Sequence, residues 1–474
     1  MLYLVAFTIA AALSFASSLL AAALLGPEAF GRYAVALSVS VVINTVLFEW
    51  LRLSTTRFYS ERVRQDEPRI ETTLNAVYAV TSAAVVAIAA VLLVSGADLG
   101  LSPGLLAAAA AVGLSVALFD YRTAQARARF LDRRYAALLF GRGLLAFCLA
   151  AGAAWLWREP TFALLGSAAA AALTLGVLRE TRGPAAGGHF DRALLTRFAR
   201  YAVPLVAATA IYQALPLLNR AVLAGRSGFA EAGYFSLASE IAVRLLQNVG
   251  SALDLALFQL AVRAEERDGR EAGERRISQN LGIVFAITVP ACVGLAAVWP
   301  SFEALFVPTS FRGQVADVMM LAIPAFGAYA LVQFGLNPAF QIRHRTGPVV
   351  AAAAAALAVN VMLLLAWPGA TGAVGVAAVQ FASLAVGLLV LAVLALGIRA
   401  TLPWRDLAFA TGAAAIMGAA LWPWRDALPP LPGLMAQVLV GAGLYGAITL
   451  LFDIAGARSA LAGLRGFGRR ASIR

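Results

Sequence analysis

The sequence predicts an all-α polytopic membrane protein with about fourteen transmembrane helices. Three observations predict it. The 474 residues are 61% hydrophobic and only 13% charged, with a mean hydropathy of +0.81, a composition foreign to a soluble domain of this size. The apolar residues fall in runs long enough to span a bilayer, separated by mostly short polar loops. The arginines concentrate in every second loop, as the positive-inside rule requires.

Met1 to Gly26 is the first apolar run. It has no basic start, and its apolar part is too long for a signal peptide, so it is expected to remain as a helix. Gly26-Pro-Glu-Ala-Phe-Gly31 makes a tight loop, and a second span runs from Tyr33 to Leu51. Further spans are expected near 72–95, 103–121, 135–157 and 160–178. After a longer loop come spans near 201–223, 232–258, 279–300, 316–336, 347–367, 372–397, 405–422 and 433–454.

With the N-terminus on the cytoplasmic side, most of the 37 arginines fall in cytoplasmic segments. The outside segments hold only Arg32, Arg158, Arg220, Arg226, Arg312 and Arg425, while Arg142 and Arg244 lie inside spans. Both ends are therefore expected in the cytoplasm of a bacterial inner membrane protein. The net charge of +12 follows from this topology and gives no reason to expect nucleic acid as a partner.

The chain repeats itself. Leu25-Gly-Pro-Glu-Ala-Phe-Gly-Arg-Tyr33 opens the second span, and Ala224-Gly-Arg-Ser-Gly-Phe-Ala-Glu-Ala-Gly-Tyr-Phe235 opens the eighth. Each carries Gly-x-aromatic, at Gly31 to Tyr33 and at Gly233 to Phe235. A second echo joins Arg129-Phe-Leu-Asp-Arg-Arg134 to Ala339-Phe-Gln-Ile-Arg-His344. The offsets are 202 and 210 residues, so each pair lies six spans apart with the same orientation. That is a parallel repeat. The expected organisation is an N-lobe over 1–180, a Gly/Pro-containing linker over 181–200, a C-lobe over 201–400, two extra helices over 401–455 and a basic cytoplasmic tail over 456–474.

The stretch from Ala232 to Leu260 is apolar enough to span, yet it carries Glu240, Arg244, Gln247, Asn248, Ser251 and Asp254 on one helical face. An arginine near mid-span costs roughly 2.5–3.5 kcal/mol on insertion scales, so it should face a wet cavity or a partner. Glu240 and Arg244, at i and i+4, can pair on the helix surface. The pair either locks two helices or forms part of a cationic cavity that receives an anionic headgroup, which the planar guanidinium suits. Arg142 either snorkels to the interface or faces the same cavity. Gln213, Asn219 and Arg220 cluster near the outer end of the seventh span. Asn44, Thr45, Glu49 and Arg52 share one side of the second, where Glu49 and Arg52 form either an interfacial ion pair or a gate. Gln333, Asn337 and Gln341 step by four along the tenth, and Asn360 and Gln380 read as bonds between helices.

Much chemistry is excluded. There is no lysine, which removes Schiff-base and P-loop chemistry. No Walker motif, HExxH or nucleophile elbow is present, and the outside loops are short, so no enzyme is implied. Cys148 and Cys292 sit in apolar runs, and the two histidines are distant, so neither a metal nor a cofactor is expected.

Four stretches, Leu25 to Tyr33, Trp50-Leu-Arg-Leu-Ser-Thr-Thr-Arg-Phe-Tyr-Ser-Glu61, Gly233-Tyr-Phe-Ser-Leu-Ala238 and Gly372-Ala-Val-Gly-Val-Ala-Ala378, give the chain its likeness. In their order and spacing it resembles the polysaccharide or O-antigen (Wzx-type) flippases of the multidrug/oligosaccharidyl-lipid/polysaccharide exporter superfamily. The resemblance implies a fold like that of the drug-exporting members: two six-helix lobes around a central cavity, two C-terminal helices, and alternating access. It implies a polyprenyl-diphosphate-linked oligosaccharide as cargo, moved from the cytoplasmic to the outer leaflet, with polysaccharide polymerase machinery as a partner. Arg244 and Arg142 would then bind phosphate, with Gln247, Asn248 and Asn44 on sugar hydroxyls. Asn219 stands where the family often has aspartate, which argues against cation coupling at that position. A drug/cation antiporter would want intramembrane carboxylates in an otherwise uncharged cavity, and a polymerase or ligase would want a large outside loop.

Overall fold

The computed structural model describes residues 2–60, 63, 66–97, 100–179, 188–343, 345–397, 402–425 and 427–458, without the side chains of 2–8, 10, 11, 248, 249 and 251–256. The described residues are helical throughout, with short turns between. Twelve stretches among them are helices long and apolar enough to cross a membrane. The first, Ala12–Phe58, has 47 residues, about 70 Å of helix and too long for one crossing. It breaks at Gly26, whose φ of 73° is in the left-handed region that glycine tolerates, and Pro27 restarts the helix. Counting that break as two crossings and adding the 40-residue helix Phe229–Asp268 gives the expected fourteen.

In chain order the helices are α1 (Leu2–Ile43), α2 (Glu49–Phe58), α3 (Pro68–Ser95), α4 (Pro103–Ala128), α5 (Asp132–Trp157), α6 (Pro160–Val177) and α7 (Arg192–Arg226). Then follow α8 (Phe229–Asp268), α9 (Arg270–Phe306), α10 (Gln314–Ala330), α11 (Asn337–Gln341), α12 (Gly347–Ala366), α13 (Gly372–Gly397), α14 (Trp404–Leu421) and α15 (Pro430–Phe452). Local chemistry sets the ends. Ser102 Oγ accepts from Leu105 N at 3.4 Å ahead of Pro103, and Asp191 Oδ1 accepts from Ala193 N at 2.8 Å and Leu194 N at 3.3 Å. Gly96, in the left-handed conformation, ends α3.

Several helices outrun their apolar stretches. α4 continues to Ala128 rather than stopping near 121, and α7 begins at Arg192 rather than near 201. Hydropathy falls where the chain leaves the bilayer, but alanine, arginine and glutamine keep the backbone ladder going. Two helical paths also contain π turns, Asn44–Phe48 between α1 and α2 and Leu331–Leu336 between α10 and α11. Such turns offset the side chains that follow them.

The chain packs as two compact units. Unit 1 is Met1–Leu237 with Pro308–Phe311 and Thr371–Val376; unit 2 is Ala238–Val307, Arg312–Ala370 and Ala377–Arg474. In unit 1, α1 packs on α4, α5 and α7, and α6 packs on α4 and α5. Small residues make these approaches close. Gly166 on α6 lies so near α5 that a Cβ there would stand 2.5 Å from Leu149 O. By contrast α3 is barely covered: Val80 is 71% and Val94 90% exposed, which suits a face turned to lipid. In unit 2, α14 and α15 pack on α9, where Tyr445 donates to Ala286 O at 2.6 Å. Asn360 on α12 is fully buried, and its side chain makes no hydrogen bond among the described residues, unlike the interhelical bond expected of it. The stretches 180–187 and 459–474, in the expected linker and tail, lie outside the described residues.

Candidate functional site

Unit 1 gathers charge from three places in the chain. Asn44 opens the π turn, and its Nδ2 donates to Asp120 Oδ2 on α4 at 3.2 Å. Arg142 on α5 brings Nη1 to 3.7 Å from Asp120 Oδ1. The Arg142 guanidinium also lies over the Phe119 ring, 4.7 Å from its centroid. The side chains of Arg142 and Asp120 keep 32% and 30% of their surface exposed. One turn on, Arg52 grips Glu49 with two bonds, Nε to Oε2 at 2.8 Å and Nη2 to Oε1. Both lie within electrostatic reach of Asp120.

A tyrosine layer flanks this cluster. Tyr78 stacks on Tyr121, centroids 5.6 Å apart, and Tyr121 donates to Asn75 Oδ1 at 2.8 Å. Tyr59 donates to the buried Glu71 at 3.0 Å. Asp120, Tyr121 and Glu71 escape the sequence reading. Ending the fourth span at 121 puts Asp120 at the membrane edge, whereas α4 runs on through Ala128. The usable signal was the Ala-Arg-Gln composition after residue 121, which favours continued helix.

In unit 2, one charged pair lies along a single helix. Arg244 donates to Glu240 Oε1 through Nε at 3.0 Å and Nη2 at 2.6 Å, one turn apart on α8. Gln247 is half-buried one turn on, and the side chains of Asn248, Ser251 and Asp254 lie outside the described ones. On α10 and α11, Asn337 Nδ2 donates to Gln333 Oε1 at 3.0 Å and Gln333 Nε2 to Tyr329 at 3.1 Å, a ladder across the second π turn.

Thus Asn44, Glu49, Arg52 and Arg142 are brought together around Asp120, while Glu240 and Arg244 form a separate pair in unit 2. On α7, Arg220 donates to Ser38 Oγ on α1, and Gln213 is half-buried. Chemically, each cluster holds a guanidinium beside a carboxylate. The partner offsets the cost of burying the charge, and the planar guanidinium suits forked bonds to an anion. Such an arginine is suited to hold an added anion.

The two Gly-x-aromatic turns meet within unit 1. A Cβ at Gly31 would stand 1.8 Å from Phe229 O, and one at Gly233 2.2 Å from Pro27 O. The helices touch backbone to backbone here, so both positions require glycine. Phe311 sits against Phe30 and Tyr234, with centroids 5.7 and 5.8 Å away. Glu231 accepts from Ala373 N at 2.6 Å, and Ser227 from Gly372 N at 3.2 Å, fastening the start of α13 to the start of α8.

No family model matches the sequence, and no curated protein matches it by sequence. Solved structures do match. The lipid II flippase MurJ in an inward closed conformation is 13% identical with a TM-score of 0.72, over 97% of this chain and 99% of that one. A point mutant of the Vibrio cholerae MATE transporter VcmN is 14% identical with a TM-score of 0.52, over 83% and 94%. A MOP superfamily transporter from Pyrococcus furiosus is 11% identical with a TM-score of 0.50, over 89% and 94%. At such identities the likeness is one of fold, and the chain is a multi-pass α-helical protein with the fold of these membrane transporters.

Proposed function

We propose that this chain is a flippase for a lipid-linked, anionic cargo, a polyprenyl-diphosphate-linked oligosaccharide carried from the cytoplasmic to the outer leaflet by alternating access. The observation that carries this reading is the similarity over 97% of the chain, at a TM-score of 0.72, to a lipid II flippase, against 0.52 and 0.50 for the two other transporters. The arginines support it. A diphosphate needs fixed positive charge with forked donors, and Arg142 and Arg244 supply it within spans. Asp120 and Glu240 hold these guanidiniums in place while no cargo is bound. Asn44, Gln247 and Asn248 would contact sugar, and Gln213 and Arg220 the outer path.

The placement in a bacterial inner membrane, with both termini cytoplasmic, rests on the arginine bias. Surface polysaccharide synthesis as the process, with a polymerase as partner, rests on the resemblance of the motifs. An antiporter of drugs or cations is the competing reading on the same fold. The mid-span arginines weigh against it, because a cationic cargo would be repelled. Complementation of a flippase-null strain tests the choice. Wild type should restore surface polysaccharide, and Arg244→Ala, if present at normal level, should lose roughly tenfold or more of the transport rate. Full activity in Arg244→Ala, or drug efflux without any polysaccharide phenotype, would refute the proposal.

A further inference from the structure

The second sequence echo leads to a site that the transport reading leaves unused. Arg343 follows α11, and its Nη2 lies 2.7 Å from Glu274 Oε1 on α9. Arg270 Nε donates to that same oxygen at 3.0 Å. One carboxylate oxygen therefore holds two guanidiniums. With Glu265, Ile342 and Arg345 they line a cavity of about 280 Å³. Three arginines face two glutamates there, so the chamber keeps a net positive charge. Its neighbour is different in kind: a narrow apolar crevice, lined by Ile277, Leu281, Leu336 and Ala339, shares Glu274, Ile342 and Arg343 with it. Every one of these residues belongs to unit 2.

A cationic chamber that shares its wall with apolar side chains, beside expected membrane spans, suits the phosphate of a lipid headgroup. The arginines suit a phosphate, and the apolar side chains of Ile277, Leu281, Leu336 and Ala339 border the chamber without leaving room for a chain between them. We propose that this cavity binds the phosphate of an anionic membrane phospholipid, as a site separate from the transported cargo. The loop between α11 and α12 and the start of α9 are then held together by a bound lipid as well as by Glu274.

The test uses the full chain in phosphatidylcholine vesicles with and without phosphatidylglycerol. Lipid retained after detergent extraction is read by native mass spectrometry, and thermal unfolding is followed in parallel with added phosphatidylglycerol or inorganic phosphate. Wild type should retain phosphatidylglycerol over phosphatidylcholine. The double variant Arg270→Ala with Arg343→Ala should lower that retention roughly tenfold or more. Glu274→Gln keeps all three arginines and removes their competitor, so retention should rise. Equal retention by wild type and the double variant overturns the proposal, as does unchanged or weaker retention in Glu274→Gln. Protection by inorganic phosphate as strong as that by phosphatidylglycerol identifies a free-anion site and overturns the lipid assignment.

Discussion

The two arginines placed within spans are held in opposite ways. In unit 1, Arg142 finds its carboxylate on another helix, and that carboxylate is shared with Asn44, 76 residues away in sequence. In unit 2, Arg244 finds Glu240 one turn back on its own helix. A pair within one helix persists whatever its neighbours do. A pair across helices exists only while those helices stay packed. The comparison teaches that Asp120 ties α4, α5 and the π turn after α1 to the position of one guanidinium, whereas helix geometry alone brings Glu240 and Arg244 together.

The sharpest break of this comparison is Asp120→Ala. It leaves Arg142 and Asn44 without their acceptor, and the expected loss is about 2–4 kcal/mol of stability, at the lower end of a broken buried pair because both groups are partly exposed. Thermal unfolding in detergent checks it, and the double variant Asp120→Ala with Arg142→Leu should recover most of the loss. Glu240→Ala comes next, at about 0.5–1.5 kcal/mol, with its main effect on transport rather than unfolding. A loss in Glu240→Ala equal to that in Asp120→Ala would show that α8 is locked to another helix through this carboxylate. The smallest effect belongs to Glu49→Ala. Arg52 is more exposed and the pair lies near a helix end, so at most about 1 kcal/mol is expected in the same unfolding measurement.

How much was legible follows from these cases. Glu240 and Arg244 were readable because helix geometry alone fixes residues i and i+4 as neighbours. The repeat of Gly31 and Gly233 was readable as a pattern, but nothing in the pattern says that the two turns touch each other. Asp120 was not readable as a partner. Its role depends on where α4 ends and on a π turn that presents Asn44, and both arise from packing rather than from hydropathy. Glu274, with two arginines on one oxygen, was equally invisible, because Arg343 lies 69 positions away.

By itself, the sequence determined the class, the number of crossings and the local pair on α8. The bilayer rejects polar backbone and charge residue by residue, so span count is a property of composition along the chain. Only the tertiary structure decided which distant groups share a carboxylate, which glycines meet, and where cationic and apolar cavities adjoin. Those outcomes depend on the offset and approach of packed helices, where a single π turn or one missing Cβ changes which side chains come within bonding distance.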